Sequence, residues 1–327
     1  MNMIYITKNN FLTFIYLIII CMIMDSCGED SIYGCTDSTA CNYNALATEE
    51  NDSCIYAIDI YPDGLYDCDG VCYSDLNGDG ICDVVGCMDE TAFNYNSEAD
   101  IDDGSCEYSL SINFDHVVDG ADIIFGNENI IYQNNASNMY SVRRILYVLS
   151  DVVLYFDNDV LELEDFIFIN TDIPETLIYS INELPALCSG ISFRIGFSSQ
   201  ENVENAYVNV SNNFHNSMLW PNLNDPLSPF QGGYHYMKLE GKYMDLLEGE
   251  YFYNTHTGPT GAEDFSILYS EFNFTPSQNI TVEMNVNNWY NNPTYDLGSF
   301  GPGIMDNIIA QSELFDNGLD VFSVESE

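Results

Sequence analysis

The placement of the cysteines constrains this chain more than any other feature of its sequence. Of eleven cysteines in 327 residues, eight lie between Cys35 and Cys106, and only Cys188 follows them. An even number of closely spaced cysteines in a short segment is typical of a disulfide framework, which small exported domains use because their apolar core is small. The sequence therefore predicts a small disulfide-rich module followed by a larger domain with one inert, buried thiol.

An internal repeat organises this module. The first copy runs from Gly34 to Cys54 and the second from Gly86 to Cys106, and both contain the pattern Gly-Cys-x-Asp-x-Thr-Ala-x-Asn-Tyr-Asn. The position of Cys41 is occupied by Phe93 in the second copy, so we expect Cys41 to pair outside its own copy. The repeat resembles modules of surface proteins from marine Bacteroidetes, which have no defined activity.

The repeat predicts a pairing scheme for the cysteines. The pairs common to both copies are Cys35–Cys54 and Cys87–Cys106, and each loop contributes about 3 kcal/mol in the chain-entropy model. The remaining four would pair among themselves, in one of three connectivities, and are Cys41, Cys68, Cys72 and Cys82. Zinc binding through closely spaced cysteines is the alternative. Disulfides are favoured, because the segment contains no histidine and its neighbours indicate export.

A calcium-type loop lies between the two copies. In the segment 75–83, oxygen side chains occupy alternate positions, and Gly80 permits a sharp turn that directs the next carbonyl inward. The expected ligands are Asp75, Asn77, Asp79, the carbonyl of Ile81, and Asp83. The segment resembles the calcium loops of thrombospondin type 3 repeats and dockerins. The alternative is an acidic hairpin with a glycine turn.

The N-terminus has the pattern of an export signal. An apolar run from Phe11 to Met24 follows Lys8 and is short for a membrane span. It ends at Ser26-Cys27, which resembles a bacterial lipobox, in which the cysteine is acylated. The acidic residues after Cys27 resemble the surface-export signal of Bacteroidetes lipoproteins. An uncleaved anchor is the alternative.

These patterns predict four segments of the chain. They are a lipoprotein signal peptide over residues 1–26, a linker over 27–33, the cysteine-rich module over 34–108 and a β domain over 109–327. The expected location is the bacterial outer membrane, at the cell surface, with the membrane as a partner through the lipid anchor on Cys27.

The charge balance excludes some partners. The chain has 52 acidic residues, 6 basic residues and a formal net charge of −46. Nucleic acid is excluded, because almost no side chain is available to neutralise phosphates. An anionic membrane surface would repel the chain, so membrane attachment would have to be covalent. Hard cations, in contrast, would be attracted.

The C-terminal region has the patterns of a β protein. Ile191, Phe193, Ile195 and Phe197 alternate with polar or small residues, and the same alternation runs from Ile280 to Val286. One helix is predicted over Asp306–Asn317, with Ile308, Ile309 and Leu314 inward and Gly318 as its stop. A mainly β fold is therefore expected, namely an antiparallel β-sandwich with one short helix.

Several short motifs of this region carry a family resemblance. They are Phe114-Asp-His116, Met218-Leu-Trp220, the run from Gly232 to Gly241, and Thr255-His256-Thr257-Gly258. Their order resembles the MbnP-like family and covers about two thirds of the chain. The resemblance implies a periplasmic or surface copper-binding protein with a histidine site. In some members it also implies a kynurenine made from tryptophan by a di-haem, peroxidase-type partner.

The resemblance implies copper ligands among the four histidines. His116 and His256 fall in the family's recurring motifs, whereas His235 lies where other residues are tolerated. His215 precedes Met218 by three residues, and copper accepts both imidazole and thioether ligands. The alternative is that each histidine is solvated or structurally hydrogen-bonded. Trp220 and Trp289, neither of which lies two residues before a histidine, are expected to be core or rim aromatics.

No constellation of residues indicates an enzyme. The chain has no glycine-rich phosphate loop after a strand, and Cys188 has no recognisable histidine partner. Two functions remain. One is copper binding in the envelope. The other is a surface module that binds glycan or protein without copper, which an exposed patch of Tyr or Trp would favour.

Overall fold

The computed structural model describes residues 31–327 except 77, 79, 158, 224–227, 229, 246, 262 and 302. The predicted signal peptide and Cys27 therefore lie outside the described residues. The chain forms two compact units. One holds the described residues up to Val85 together with Glu98–Asp102, and the other holds Gly86–Ser97 and Asp103–Glu327. The division thus runs through the second repeat.

The disulfides of the cysteine-rich segment connect all eight of its cysteines. The pairs are Cys35–Cys54, Cys41–Cys68, Cys72–Cys82 and Cys87–Cys106. The first and last are the pairs that the repeat predicts, and the middle four cysteines pair among themselves. These sulfurs are bonded to each other, so none is a free thiolate for zinc. Cys188 is a buried free thiol, and burial raises its pKa.

The two copies of the repeat have the same local structure. Asp37 accepts a hydrogen bond from the backbone of Thr39 at 2.9 Å, and Asp89 accepts one from the residue two positions later at 2.8 Å. Tyr56 and Tyr108 each donate to the corresponding aspartate. The short elements of this part are β1 (Tyr33–Gly34), β2 (Glu49–Glu50), α1 (Ala57–Ile60), β3 (Val85–Gly86) and β4 (Ile101–Asp102).

Two sheets build the C-terminal unit. The five-stranded sheet contains β5 (Tyr108–Val118), β6 (Ala121–Asp122), β12 (Ile178–Leu184), β17 (Asn279–Asn285) and β18 (Phe322–Ser326). The nine-stranded sheet contains β7 (Tyr132–Gln133), β8 (Met139–Tyr140), β9 (Arg144–Tyr155), β10 (Val160–Glu162), β11 (Ile167–Asn170), β13 (Cys188–Ile195), β14 (Met237–Met244), β15 (Glu250–Thr257) and β16 (Ile267–Ser277). The predicted mainly β fold is confirmed.

The strands are not all antiparallel. Every described pair of the nine-stranded sheet is antiparallel, but β5 and β17 run parallel, with Ile112 opposite Ile280. The order of the strands along the chain explains this pairing. β17 follows β16 of the other sheet, so the chain crosses between the sheets before β17 pairs with β5.

The helices also differ from the prediction. Besides α1 there are α2 (Phe214–Met218) and α3 (Ile308–Asn317). The side chain of Asn307 caps α3 by accepting hydrogen bonds from two backbone N–H groups. Ile308 and Ile309 were expected inward but are 49% and 64% exposed, whereas Leu314 is buried. The helix packs through the stripe Ala310, Gln311, Leu314 and Asn317, whose spacing matches one helical face.

The main core lies between the two sheets. The predicted alternation is confirmed in β17, where Ile280, Val282 and Met284 are fully buried. Across the core, the rings of Phe193 and Phe322 lie 5.3 Å apart. Among the described residues, no helix is long and apolar enough to span a membrane.

A smaller apolar cluster covers the outer face of the nine-stranded sheet. Along β9, Ile145, Tyr147 and Leu149 enter the main core, and Leu146 and Val148 enter the outer cluster. This alternation follows from the strand period of two residues. Phe214 and Met218 of α2 pack on the outer cluster. The outer face therefore carries α2 and the segment that follows it.

Candidate functional site

A short ladder positions two aromatic residues on the outer face. The backbone N–H of Trp220 donates to the carbonyl of Gly233 at 2.8 Å, and that of His235 donates to the carbonyl of Met218 at 2.6 Å. These bonds bring the end of α2 beside the chain that enters β14. As a result, the rings of Trp220 and His235 lie 4.7 Å apart, although fifteen residues separate them.

The pairing of β14 with β15 adds a second histidine. His256 on β15 lies opposite Lys238 on β14, so both side chains project from the outer face. The rings of His235 and His256 have centroids 5.0 Å apart and are nearly perpendicular, at 86°. Both side chains are buried, at 5% and 9% exposure.

Hydrogen bonds determine which nitrogen of each imidazole carries the proton. Nδ1 of His235 lies 3.0 Å from the carbonyl of Met218, and Nε2 of His256 lies 3.0 Å from a carboxylate oxygen of Glu240. Because both partners accept only, these nitrogens are the protonated ones. The lone pairs therefore lie on Nε2 of His235 and Nδ1 of His256, and both atoms are buried without a hydrogen-bond partner.

The charge state of the pair follows from its burial. Burial lowers the pKa of His235 well below its ordinary value, and the neighbouring His256 and Lys238 lower it further. Burial also lowers the pKa of His256, although Glu240 opposes part of that shift. Both rings are therefore neutral at pH 7, which is the form that binds metal ions.

Basic residues gather around Glu240. Arg144 donates to it through Nε at 2.7 Å, Arg143 lies 3.3 Å away and Lys238 lies 3.9 Å away. Burial alone would raise the pKa of Glu240, but hydrogen bonds from His256 and Arg144 hold that pKa well below its usual range. Three of the six basic residues of the chain thus lie within 4 Å of one carboxylate beside His256.

The backbone that follows His256 packs against the side chain of Trp220. A Cβ atom at Gly258 would clash with the indole ring, so the ring packs directly on the glycine backbone. Gln311 of α3 donates to the carbonyl of His256 at 2.8 Å and accepts from the N–H of Gly258 at 3.2 Å. Trp220 is fully buried, and its Nε1 has no hydrogen-bond partner.

His116 does not join this pair. It lies on β5, with its ring 5.7 Å from that of Tyr147 in the core between the sheets. Tyr147 lies opposite Met237, and the adjacent Lys238 lies opposite His256. Successive residues of a strand face opposite sides, so His116 and His256 lie on opposite sides of the nine-stranded sheet.

The other two predicted ligands, His215 and Met218, lie on α2. Nδ1 of His215 lies 2.9 Å from the hydroxyl of Tyr234. The side chain of Met218 is buried in the outer cluster, and its carbonyl orients His235. Trp289 is also buried, so both tryptophans are core aromatics. The proximity of His235 to Trp220 could not be read from the sequence, because the ladder that joins their segments has no local signal.

The calcium-type loop is described only in part. Asn77 and Asp79 lie outside the described residues. Of the other predicted ligands, Asp75 accepts from the backbone of Gly78 at 2.8 Å and of Gly80 at 3.1 Å. Asp83 is buried at 4% exposure and accepts from the backbone of Leu76. The described carboxylates at both ends of the loop thus interact with its backbone.

The fold and the site define a mainly β protein with a buried pair of neutral imidazoles. The family model of MbnP matches residues 107–306, and the chain belongs to this copper-associated family. The solved structure of MbnP from Methylosinus trichosporium shares 12% identity with this chain, covering 67% of it and 98% of that protein, with a TM-score of 0.45. No curated protein matches the sequence.

Proposed function

We propose that this protein binds copper in the bacterial envelope, without catalysis, through His235 and His256. The observation that carries the proposal is the pair of buried lone-pair nitrogens, Nε2 of the first and Nδ1 of the second, neither of which has a hydrogen-bond partner. A buried acceptor without a partner costs about 1–3 kcal/mol. Two such atoms on neighbouring, nearly perpendicular rings favour a ligand, and membership in a copper-associated family supports copper.

The chemistry of the donors fits copper. Neutral imidazole suits copper, and divalent copper is bound most tightly among the first-row divalent ions. The carbonyl of Met218 and the carboxylate of Glu240 hold the two rings by their other nitrogens. Such partners orient metal-binding histidines and increase their basicity. Copper bound here would be shielded from water, because Trp220 and both imidazoles are buried.

Copper titration of the processed protein tests the proposal. The measurement is Cu(I) affinity in ascorbate, by competition with a chromogenic chelator, so that the disulfides stay intact. One equivalent should bind. His235→Ala and His256→Ala should each weaken binding more than Glu240→Gln, for which about 10–100-fold is expected because the orienting charge is lost.

His116→Ala is the matched control, because it removes a buried imidazole of β5 that lies on the other side of the nine-stranded sheet from the pair. It should leave the copper affinity unchanged. Unchanged affinity in both the His235 and the His256 variants would refute the assignment, and so would loss of binding only in the His116 variant.

Two further properties belong to the proposal. We propose that Cys27 carries a lipid anchor that holds the protein on the cell surface, and the motif at the end of the apolar run supports this. We also propose that the loop 75–83 binds calcium and stiffens the N-terminal module. The order of its oxygen ligands and glycine supports this role.

A further inference from the structure

A cavity of about 360 Å³ opens at the end of the hairpin formed by β14 and β15. It is lined by Tyr243 and Tyr251 from the hairpin, by Asn138 before β8, and by Asp296 and Ser299 from the segment that precedes α3. Tyr251 and His256 are five residues apart on β15, which is about 17 Å in an extended strand. The cavity is therefore separate from the imidazole pair.

The two tyrosines form a fixed aromatic wall. They lie directly opposite each other in the sheet register, with ring centroids 5.7 Å apart and planes inclined by 32°. Tyr251 is 50% exposed. A Cβ atom at Gly249 would lie 2.8 Å from Cε2 of Tyr251, so this ring packs closely on the glycine backbone. Two adjacent rings are thus held at a solvent-accessible edge of the unit.

The opposite wall is polar and preorganised. The carboxylate of Asp296 accepts hydrogen bonds from Asn138 at 3.0 Å, Gly298 at 2.9 Å and Ser299 at 3.1 Å. Asp245 accepts from two backbone N–H groups of the hairpin turn. Each carboxylate has about four lone-pair sites, so both retain capacity to accept from a ligand. Among the described residues that line the cavity, none is Lys or Arg.

We propose that this cavity binds a neutral saccharide. The rings of Tyr243 and Tyr251 offer flat apolar faces to the C–H surface of a sugar ring, and the carboxylates of Asp245 and Asp296 accept from its hydroxyl groups. The volume falls within the usual range for small-ligand pockets. Acidic sugars are excluded, because the carboxylates of the site and the net charge of −46 repel them. The protein thereby combines copper binding with glycan attachment.

Affinity electrophoresis tests this inference. The processed protein runs in native gels that contain a neutral β-glucan, mannan, xylan or galactan, with alginate as the acidic comparison. At least one neutral polymer should retard the protein, and alginate should not. Tyr251→Ala should abolish the retardation. Phe252→Ala is the matched control, because Phe252 is the adjacent aromatic residue, is 61% exposed and lies outside the cavity.

A second measurement uses the unmodified protein and does not depend on variants that fold. On titration with an oligosaccharide of the retarding polymer, the NMR ring signals of Tyr243 and Tyr251 should shift while those of Phe252 stay in place. Absence of retardation by all neutral polymers, or equal retardation of all variants, would overturn the inference. Binding of tetramethylammonium in place of any saccharide would overturn it too and assign the cavity to organic cations. Copper affinity should not change in Tyr251→Ala, so the test of the saccharide site is independent of the test of the copper site.

Discussion

At the scale of single residues, histidines of this protein differ in what surrounds their nitrogens. The protonated nitrogens of His235 and His256 have acceptors, and the other nitrogen of each ring is buried without a hydrogen-bond partner. His116 instead has its Nε2 buried against Tyr147 and Phe125 with no hydrogen-bond partner, and burial lowers its pKa to about 4. One imidazole among apolar neighbours therefore costs stability when acid protonates it.

We predict that His116 makes the C-terminal unit acid-labile. The pKa of His116 is about 4 in the folded protein, whereas the ordinary value of 6.5 applies to the unfolded chain. Between these two pH values the unfolded chain therefore binds more protons than the folded protein. His116 should therefore contribute about 3 kcal/mol of stability that is lost as the pH falls from about 6.5 to about 4. His116→Phe should remove this contribution to the pH dependence of the free energy of unfolding. The measurement is urea denaturation of the metal-free protein, followed by tryptophan fluorescence at several pH values.

Tyr147→Phe is the control for that measurement, because it removes a neighbouring hydroxyl and leaves the imidazole in place. Its pH dependence should match that of the unmodified protein. If His116→Phe showed the same fall in stability between these pH values as the unmodified protein, His116 would not be the titrating group.

At the scale of elements, the proposed sites lie on a β-hairpin and on a short loop. The hairpin of β14 and β15 has the tyrosine pair at one end and His256 at the other, so one pair of strands organises both. The loop 75–83 in the N-terminal module places Asp75 over its own backbone N–H groups. A cation in this loop would add ligand bonds to a segment already closed by the nearby Cys72–Cys82 disulfide.

We predict that calcium stabilises the N-terminal module beyond the effect of ionic strength. By mass action, calcium at 100 times its dissociation constant should add about 2.7 kcal/mol. The measurement is calorimetric melting in calcium chloride and in sodium chloride of equal ionic strength. Asp75→Asn should remove the difference, while Glu49→Gln, an exposed acid outside the loop, should preserve it. An equal gain from both salts would rule out a specific site.

At the scale of the whole molecule, the acidic charge and the proposed anchor act together. A protein with a net charge of −46 is repelled by anionic lipid surfaces, so an acyl chain would have to hold it there. Buried methylene groups of acyl chains contribute about 0.8 kcal/mol each to membrane binding.

We predict that Cys27 is the attachment point. In a Gram-negative host, the full-length protein should fractionate with membranes and incorporate labelled fatty acid. Cys27→Ser should lose the label and move to the soluble fraction. Cys21→Ser, which changes a cysteine within the apolar run, should behave like the unmodified protein. Membrane retention of the Cys27 variant would instead favour the uncleaved apolar segment as the anchor.

The sequence by itself determined the features that depend on local pattern. The repeat specified Cys35–Cys54 and Cys87–Cys106, because two copies with one substituted cysteine leave those pairs in common. Alternation in β13 and β17 specified which side chains enter the core, since a strand has a period of two residues. The exception is Phe197, which was expected on the face of Ile191, Phe193 and Ile195 but lies beyond the end of β13 and enters the outer cluster. The mainly β class followed from these strands.

Only the tertiary structure decided which histidines meet. His235 reaches Trp220 through a backbone ladder, and it reaches His256 because β14 pairs with β15. His116 is separated from them because β5 belongs to the five-stranded sheet and the imidazole contacts Tyr147 on the core side of β9. The parallel pairing of β5 with β17 was decided in the same way. Such contacts depend on which strands pair and in what register. Neither the spacing of residues nor a motif shows on which face of a sheet a side chain distant in sequence will lie.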